Sequence, residues 1–421
     1  MADPATQKSA PPPAETPAGR VVEMLRVPAI TLHAFGETAE VTAAMQTAVA
    51  DRRMSRAHAT VQPGGIVAAL EQYGKTATPD LVLFESRANA AELFAQLDAL
   101  ANVCSARTKV MVVGHANDIE LYRGVLARGL SEYIVAPVDP MSIIAAISRL
   151  YHEAGTTKLG RSLAFVGARG GVGSSTAAHN VAASLAHIYK SDVILADLDL
   201  PFGSAGLGFN LDRGQGIAQA LQDASRLDDG LFERLLSRSS DHLSVLTAPA
   251  TLDSCCDLAE SAFERVIDIA RSSVPFVVLD LPHVWTSWAK NTLLAADEIV
   301  ITAAPDLNGL RNAKNLLAVL RQARPNDAPP KLLLNQVGMP KRSEIKASQF
   351  AKSLDIEPIA CIAFEPSTFS KAANDGRMIV DVAPRSAASR YFSLVAERIA
   401  GRPADRDKRA SRFPFKRLWG R

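Results

Sequence analysis

Cysteine is scarce in this chain, four in 421 residues, and none of Cys104, Cys255, Cys256 and Cys361 stands at C-x-x-C spacing or in a pattern with histidine. Neither a zinc site nor a disulfide framework is therefore suggested, and a reducing cytoplasm fits. Long apolar runs are missing too. Nowhere do about 18 apolar residues follow one another, and the opening stretch MADPATQKSAPPPAETPAG has no apolar signal segment. A spanning helix and a secretory leader are not expected, and any membrane contact should be peripheral. Net charge is nearly absent, +2 over the whole chain. What excess there is lies at one end, where residues 402–421 hold eight Lys or Arg against two Asp.

What is present is ordinary globular composition, 48% apolar and 21% charged, in a length that accommodates two or three domains of about 150 residues each. Residues 1–20, rich in Pro and Ala without apolar periodicity, read as a disordered leader. From 21 to 155 short apolar runs (AITLHAF, PDLVLFES, TKVMVVGH, SEYIVAP) alternate with amphipathic stretches. The pattern breaks near Gly155–Gly160 and resumes from 156 to 401 with SLAFVGA, DVILADLDL, LSVLTAP, FVVLDLP, EIVITAAP, KLLLNQVG and IACIAF. Brief β-rich runs separated by helical stretches predict right-handed βαβ units. The fold class is α/β, two doubly wound parallel-sheet domains, followed by a basic, aromatic tail at 402–421. Ligands of such sheets bind beyond the carboxyl ends of the strands, so chemistry is expected in those loops.

One loop stands out. Ala168-Arg169-Gly170-Gly171-Val172-Gly173-Ser174-Ser175-Thr176 joins the strand-like LAFV to the helical AAHNVAASLAHIY. Glycines let successive N–H groups curl round an anion, and the helix that follows offers its positive dipole end. Gly170, Gly171, Val172, Gly173, Ser174, Ser175 and Thr176 are thus predicted to cradle phosphate. A glycine-rich turn alone could equally be an unliganded connection. Three carboxylates argue for a ligand: Asp197 and Asp199 in ADLDLPFGSAG, and Asp280 in VVLDLPH, all follow strands at the edge where the loop opens. Carboxylates there can hold magnesium through its waters or orient an attacking water, the division of labour that phosphoryl transfer requires.

Together these residues resemble the MinD/ParA family of deviant Walker-type ATPases, and more closely the CpaE/TadZ proteins of tight-adherence (Flp) pilus assembly. The resemblance spans about residues 161–401. It implies a MinD/ParA-type P-loop domain that takes ATP or ADP with Mg2+. Carried over residue by residue, it makes Ser175 a magnesium ligand, with Asp197 and Asp280 as the carboxylates of the metal site and Asp280 the Walker B residue. Asp199 would position the hydrolytic water, Asn335 in LLLNQVG would hydrogen-bond the adenine, and Pro366, in the segment Glu365–Gly376, would lie near the base.

Three departures change the expectation. The family's first loop glycine is Ala168 here, its signature lysine is Arg169, and its phosphate-loop lysine is Ser174. A serine hydroxyl gives one neutral hydrogen bond, roughly half as strong as the charge-assisted contact of an ammonium. Nucleotide is therefore expected to bind through backbone N–H groups, with hydrolysis weak or absent. Arg169 keeps a positive charge and a forked donor geometry, suited to a phosphate contact across a homodimer.

Strand order and spacing in 21–155 resemble a response-regulator receiver, a flavodoxin-like fold, without its chemistry. Where a receiver carries an acidic pair, a phospho-acceptor Asp, a Ser or Thr, and a Lys before proline, this chain has Ala34 and Phe35, Glu85, Gly114 and Ala136. A degenerate receiver-like domain kept as a docking surface for pilus-secretion or polar-localisation proteins is expected, with Glu85 as a fixed phosphoaspartate mimic the alternative. In the tail, Phe413, Phe415, Leu418 and Trp419 among basic residues suit an anionic membrane surface, while Pro414 and Gly420 confine any helix to about one turn. Peripheral inner-membrane contact, a protein partner and a solvated tail all stand open there, with nucleic acid the least favoured partner.

The expected function is a nucleotide-dependent localisation and assembly factor for a Flp-type pilus secretion machine, dimeric through its ATPase domain. Placement is cytoplasmic, with a polar or membrane-peripheral position as a further option. The alternative is an active ATPase running a ParA/MinD-like positioning cycle. An iron-sulphur reductase of related fold is disfavoured, because the cysteines lie outside the positions a cluster would require.

Overall fold

The computed structural model describes residues 27–151, 159–211, 216–249 and 258–401. The leader at 1–20, the junction at 155–156 and the tail at 402–421 lie outside these, as do Cys255 and Cys256. In the first stretch, β1 (Thr31–Gly36), β2 (His58–Pro63), β3 (Leu81–Ser86), β4 (Lys109–Gly114) and β5 (Glu132–Val135) form a sheet of order β2-β1-β3-β4-β5, parallel throughout. β3 is buried along its whole length, with Leu81 and Leu83 in the core on one face and Val82 and Phe84 in the core on the other. A strand covered on both faces reads as an unbroken apolar run. β2 has no such run, because it is an edge strand whose HATVQP is mostly exposed.

The second sheet contains β6 (Arg161–Gly167), β7 (Val193–Asp197), β8 (Ser237–Ser240), β9 (Leu243–Leu246), β10 (Phe276–Asp280), β11 (Glu298–Ala303), β12 (Lys331–Val337) and β13 (Pro358–Ala363). Their order is β13-β12-β11-β6-β10-β7-β9-β8. All pairings are parallel except the last, where the edge strand β8 runs antiparallel to β9. Side chains alternate strictly along β6: Leu163 and Phe165 enter one core, Ala164 and Val166 the other. Over the first of these faces lies the helix Ser174–Tyr189. Its buried positions are mostly small (Ala177, Ala178, Ala182, Ala186), which brings its backbone close to β6, β7 and β10. The order turns at β6, where β10 and β7 lie to one side and β11, β12 and β13 to the other, and the crevice opens beyond its carboxyl end.

Charged residues join the two sheets. A 3-10 turn, Arg52–Met54, is capped by Asp51, which accepts from the Arg53 N–H at 2.9 Å. It delivers two guanidinium groups to the second sheet. Arg52 Nε donates to Asp327 Oδ2 at 2.6 Å and Arg52 Nη1 to the Ala295 carbonyl at 3.0 Å. Arg53 also bonds Asp327, and Arg324 Nε reaches the same carboxylate at 2.8 Å. Asn326 Nδ2 donates to Asp51 Oδ2 at 3.0 Å, and Arg56 pairs with Asp268. Burial alone pushes the Asp327 carboxyl up, but the hydrogen bond and charge of Arg52, with Arg324 and Arg53, outweigh it and hold the group well below the usual carboxylate range. Ala295 and Asp327 both precede the strands they lead into, so the first sheet is seated at the amino ends of β11 and β12, away from the glycine loop.

Candidate functional site

Gly167 ends β6, and the next six residues turn into the helix that begins at Ser174. Gly171 and Gly173 stand at φ +76° and +83°, conformations open to glycine. Gly173 is fixed by crowding as well, since a Cβ there would meet Asn335 Nδ2 at 2.5 Å. The loop's carbonyls are tied down by side chains. Asn312 Nδ2 donates to Ala168 O at 2.9 Å, Gln336 Nε2 to Gly171 O at 2.9 Å, and Asn335 Nδ2 to Val172 O at 2.8 Å, while His283 Nδ1 lies 2.9 Å from Gly167 O. At the helix start, the N–H groups of Ser174, Ser175 and Thr176 have no partner a turn behind them. Carbonyls held in place and N–H groups free is the arrangement an anion needs.

Asp197 and Asp280 end neighbouring strands and are register partners, both buried. Asp197 accepts from the N–H groups of Ala205 at 2.9 Å and Asp199 at 3.3 Å. Burial first, and then the charge of Asp280, push the Asp197 carboxyl well above the usual range. Asp199 is less enclosed, accepts from the Phe202 N–H at 3.2 Å, and is raised by burial. Asp280 Oδ2 lies 3.2 Å from His179 Nε2, and its Oδ1 is buried without a hydrogen-bond partner among the described residues. Ser174 Oγ and Thr302 Oγ1 are buried without a partner in the same way.

The structure thus gathers Gly170 to Thr176, Asp197, Asp199 and Asp280 at one edge. Asn335 is there too, with its amide nitrogen spent on the loop. Pro366 starts the helix Pro366–Asn374 after β13, preset for a first helical turn by its fixed φ. Arg169 has a partner within the chain: Nη2 donates to Asp306 Oδ2 at 2.9 Å, and Asp306 caps the helix Leu307–Ala323. His179 was not foreseen. Its signal is its place one turn beyond Ser175, which puts it on the same helix face. Thr302, His283, Asn312, Gln336 and Asp306 carried no local signal at all.

In the first sheet Glu85 is the next-to-last residue of β3 and is fully buried. It accepts from the N–H groups of Glu37 and Thr38, both at 2.7 Å, and from Thr38 Oγ1 at 2.8 Å, and it lies 2.9 Å from His115 Nε2. Burial pushes this carboxyl up, but the Thr38 N–H and the His115 ring lead the contacts that overcome it and hold it low. Both oxygens are committed to holding the loops after β1 and β4. Acetyl phosphate is accordingly expected to leave Glu85 unmodified, and an intact-mass shift mapped to Glu85 would contradict this.

Comparisons with known proteins fit this geometry. A family described as an AAA domain matches residues 160–332. The septum site-determining protein MinD of Bacillus subtilis is 24% identical over 257 residues, covering 58% of this chain and 90% of that protein. The crystal structure of the pilus assembly protein CpaE from Caulobacter crescentus is 46% identical, covers 31% of this chain and 98% of that one, and has a TM-score of 0.30. MinD from Pyrococcus horikoshii, solved as a complex with Mg-ADP, is 20% identical over 57% of this chain and 96% of its own, with a TM-score of 0.51, and so shares the fold.

Proposed function

Because the chain belongs to the CpaE type of the MinD/ParA ATPase family, we propose that it is a nucleotide-dependent localisation and assembly factor for a Flp-type pilus secretion machine, with weak or absent ATP hydrolysis. The observation that carries this reading is a phosphate loop whose carbonyls are tied by Asn312, Asn335 and Gln336 while its lysine position holds Ser174. The residues present fit Mg-ATP or Mg-ADP. The N–H groups from Gly170 to Thr176 would take the phosphates, and Asn335 and Pro366 would lie toward the base. Ser175 and the unpartnered oxygen of Asp280, with Asp197 beside it, supply the few oxygen ligands that magnesium needs while it keeps its waters. Bound there, magnesium would neutralise phosphate charge. Asp199 would hold a water, and its raised carboxyl suits a group that takes a proton.

A homodimer through the loop face is part of the proposal. Phe202, Leu207, Trp285 and Leu307 are 76, 83, 51 and 73% exposed, and all follow strands that end beside the phosphate loop. Such apolar groups on one face suit burial against a second copy. Arg169 would exchange Asp306 for a partner's phosphate there. The receiver-like domain would dock pilus-secretion or polar-localisation proteins. Among the described residues no helix is long and apolar enough to cross a membrane, and we place the protein in the cytoplasm, polar or peripheral at the inner membrane. The retained Asp199 and Asp280 favour the second reading, an active ATPase of a positioning cycle.

Titration calorimetry of the full-length protein with ATP or ADP is expected to show binding that requires magnesium, with little phosphate released on prolonged incubation. No binding at millimolar nucleotide would overturn the proposal. Sustained release at several turnovers per minute would favour the second reading.

A further inference from the structure

Beside Ser174, where the resembled family carries its phosphate-loop lysine, three oxygens stand near the end of β6. Thr302 of β11 is the register partner of Gly167 of β6. Side-chain parity puts both on the helix-covered face, since Phe165 and Val300, two residues earlier on each strand, belong to that core. A Cβ built on Gly167 would meet the Arg169 carbonyl oxygen at 2.8 Å, the Val172 Cγ2 methyl at 3.0 Å and Ser174 Cβ at 3.5 Å. Around one glycine, then, stand the Arg169 carbonyl, the Ser174 hydroxyl and the Thr302 hydroxyl. Both hydroxyls are buried and have no hydrogen-bond partner among the described residues, although leaving a buried hydroxyl unpaired costs free energy.

Resting on the nucleotide reading above, we infer that Ser174, Thr302 and the Arg169 carbonyl form a subsite for a monovalent cation, potassium by its chemistry. The ion supplies beside the phosphates the positive charge that the chain no longer carries at position 174. Neutral hydroxyl and carbonyl oxygens are the ligands that replace potassium's hydration shell. A divalent ion asks for carboxylates, and neither these two side chains nor the carbonyl supplies one. Two orphaned hydroxyls near one carbonyl offer oxygen ligands with no cation of their own, and the negative phosphates would complete the ion's surroundings when nucleotide binds.

The test is the affinity of the full-length protein for Mg-ATP in potassium chloride and in tetramethylammonium chloride, a cation too bulky to enter, at equal ionic strength. The parent is expected to bind about tenfold more tightly in potassium. Thr302→Val removes one hydroxyl at constant shape; it should lose most of that preference and, without nucleotide, melt no lower than the parent. Ser174→Lys carries its own ammonium and should bind equally in both salts. If Thr302→Val fails to fold, the Ser174→Lys comparison decides. Equal affinity of the parent in both salts overturns the inference and leaves the hydroxyls as a water site. No binding by the parent in either salt overturns the nucleotide reading itself. A potassium preference that survives unchanged in Ser174→Lys places the ion elsewhere and overturns the inference alone.

Discussion

Asp327→Ala is expected to destabilise the protein by about 3–5 kcal/mol, the usual cost of removing one partner from a buried ion cluster. The carboxylate is held by Arg52, Arg53 and Arg324, and its side chain is 7% exposed. Removing it leaves three guanidinium groups facing one another with little water to separate them. The loss should appear in urea unfolding of the full-length protein. It should carry a pH signature as well. Because the Asp327 carboxyl is held below the usual range, its stabilisation is complete above the ordinary carboxylate pKa of about 4 and fades as pH falls below it. Parent and variant should therefore converge in acid. A variant within about 0.5 kcal/mol of the parent at neutral pH would mean that the two sheets are not joined through these residues in solution.

Ser174→Lys should tighten Mg-ATP binding by about 10- to 100-fold, the equivalent of one charge-assisted hydrogen bond of about 1.5–3 kcal/mol. The loop is already shaped for it, with Asn312, Asn335 and Gln336 on its carbonyls. Arg169 has its guanidinium paired with Asp306 at 2.9 Å. Hydrolysis should rise with binding while Asp199 is present. Ser174→Lys combined with Asp199→Ala should bind without turnover, which separates affinity from the chemical step. If a fluorescent-nucleotide competition assay finds Ser174→Lys no tighter than the parent, the missing lysine is not the limiting defect.

How much of this could be read from the sequence depended on burial. β3, β6, β7, β10 and β11 are covered on both faces and announce themselves as apolar runs such as LVLFES and FVVLD. β2 and β8 are edge strands with sequences HATVQP and SRSS, and their pairing partners, not their composition, make them strands. In the site, the glycines and strand-end carboxylates were legible because turn and strand end are local events. Asp306, 137 residues from Arg169, was not. Nor was the cluster at Asp327, because nothing along the chain predicts which surface of a second sheet will meet a short turn at Arg52. His179 stood between. Its helix was plain, but the side chain's purpose becomes visible only once that helix lies over β10.

The seat of the first sheet, at the amino ends of β11 and β12, has a consequence for assembly. Any pairing of two copies through their phosphate-loop faces would carry the receiver-like domains outward, to the two far ends of a rod. Proteins bound to them would be held apart instead of side by side. A target that offers one attachment point would then feel a single weak contact, and only a target with two points spaced to match the rod would gain from both arms. Selection of where the protein gathers would rest on that spacing, and on nucleotide only as the joint that keeps the rod together.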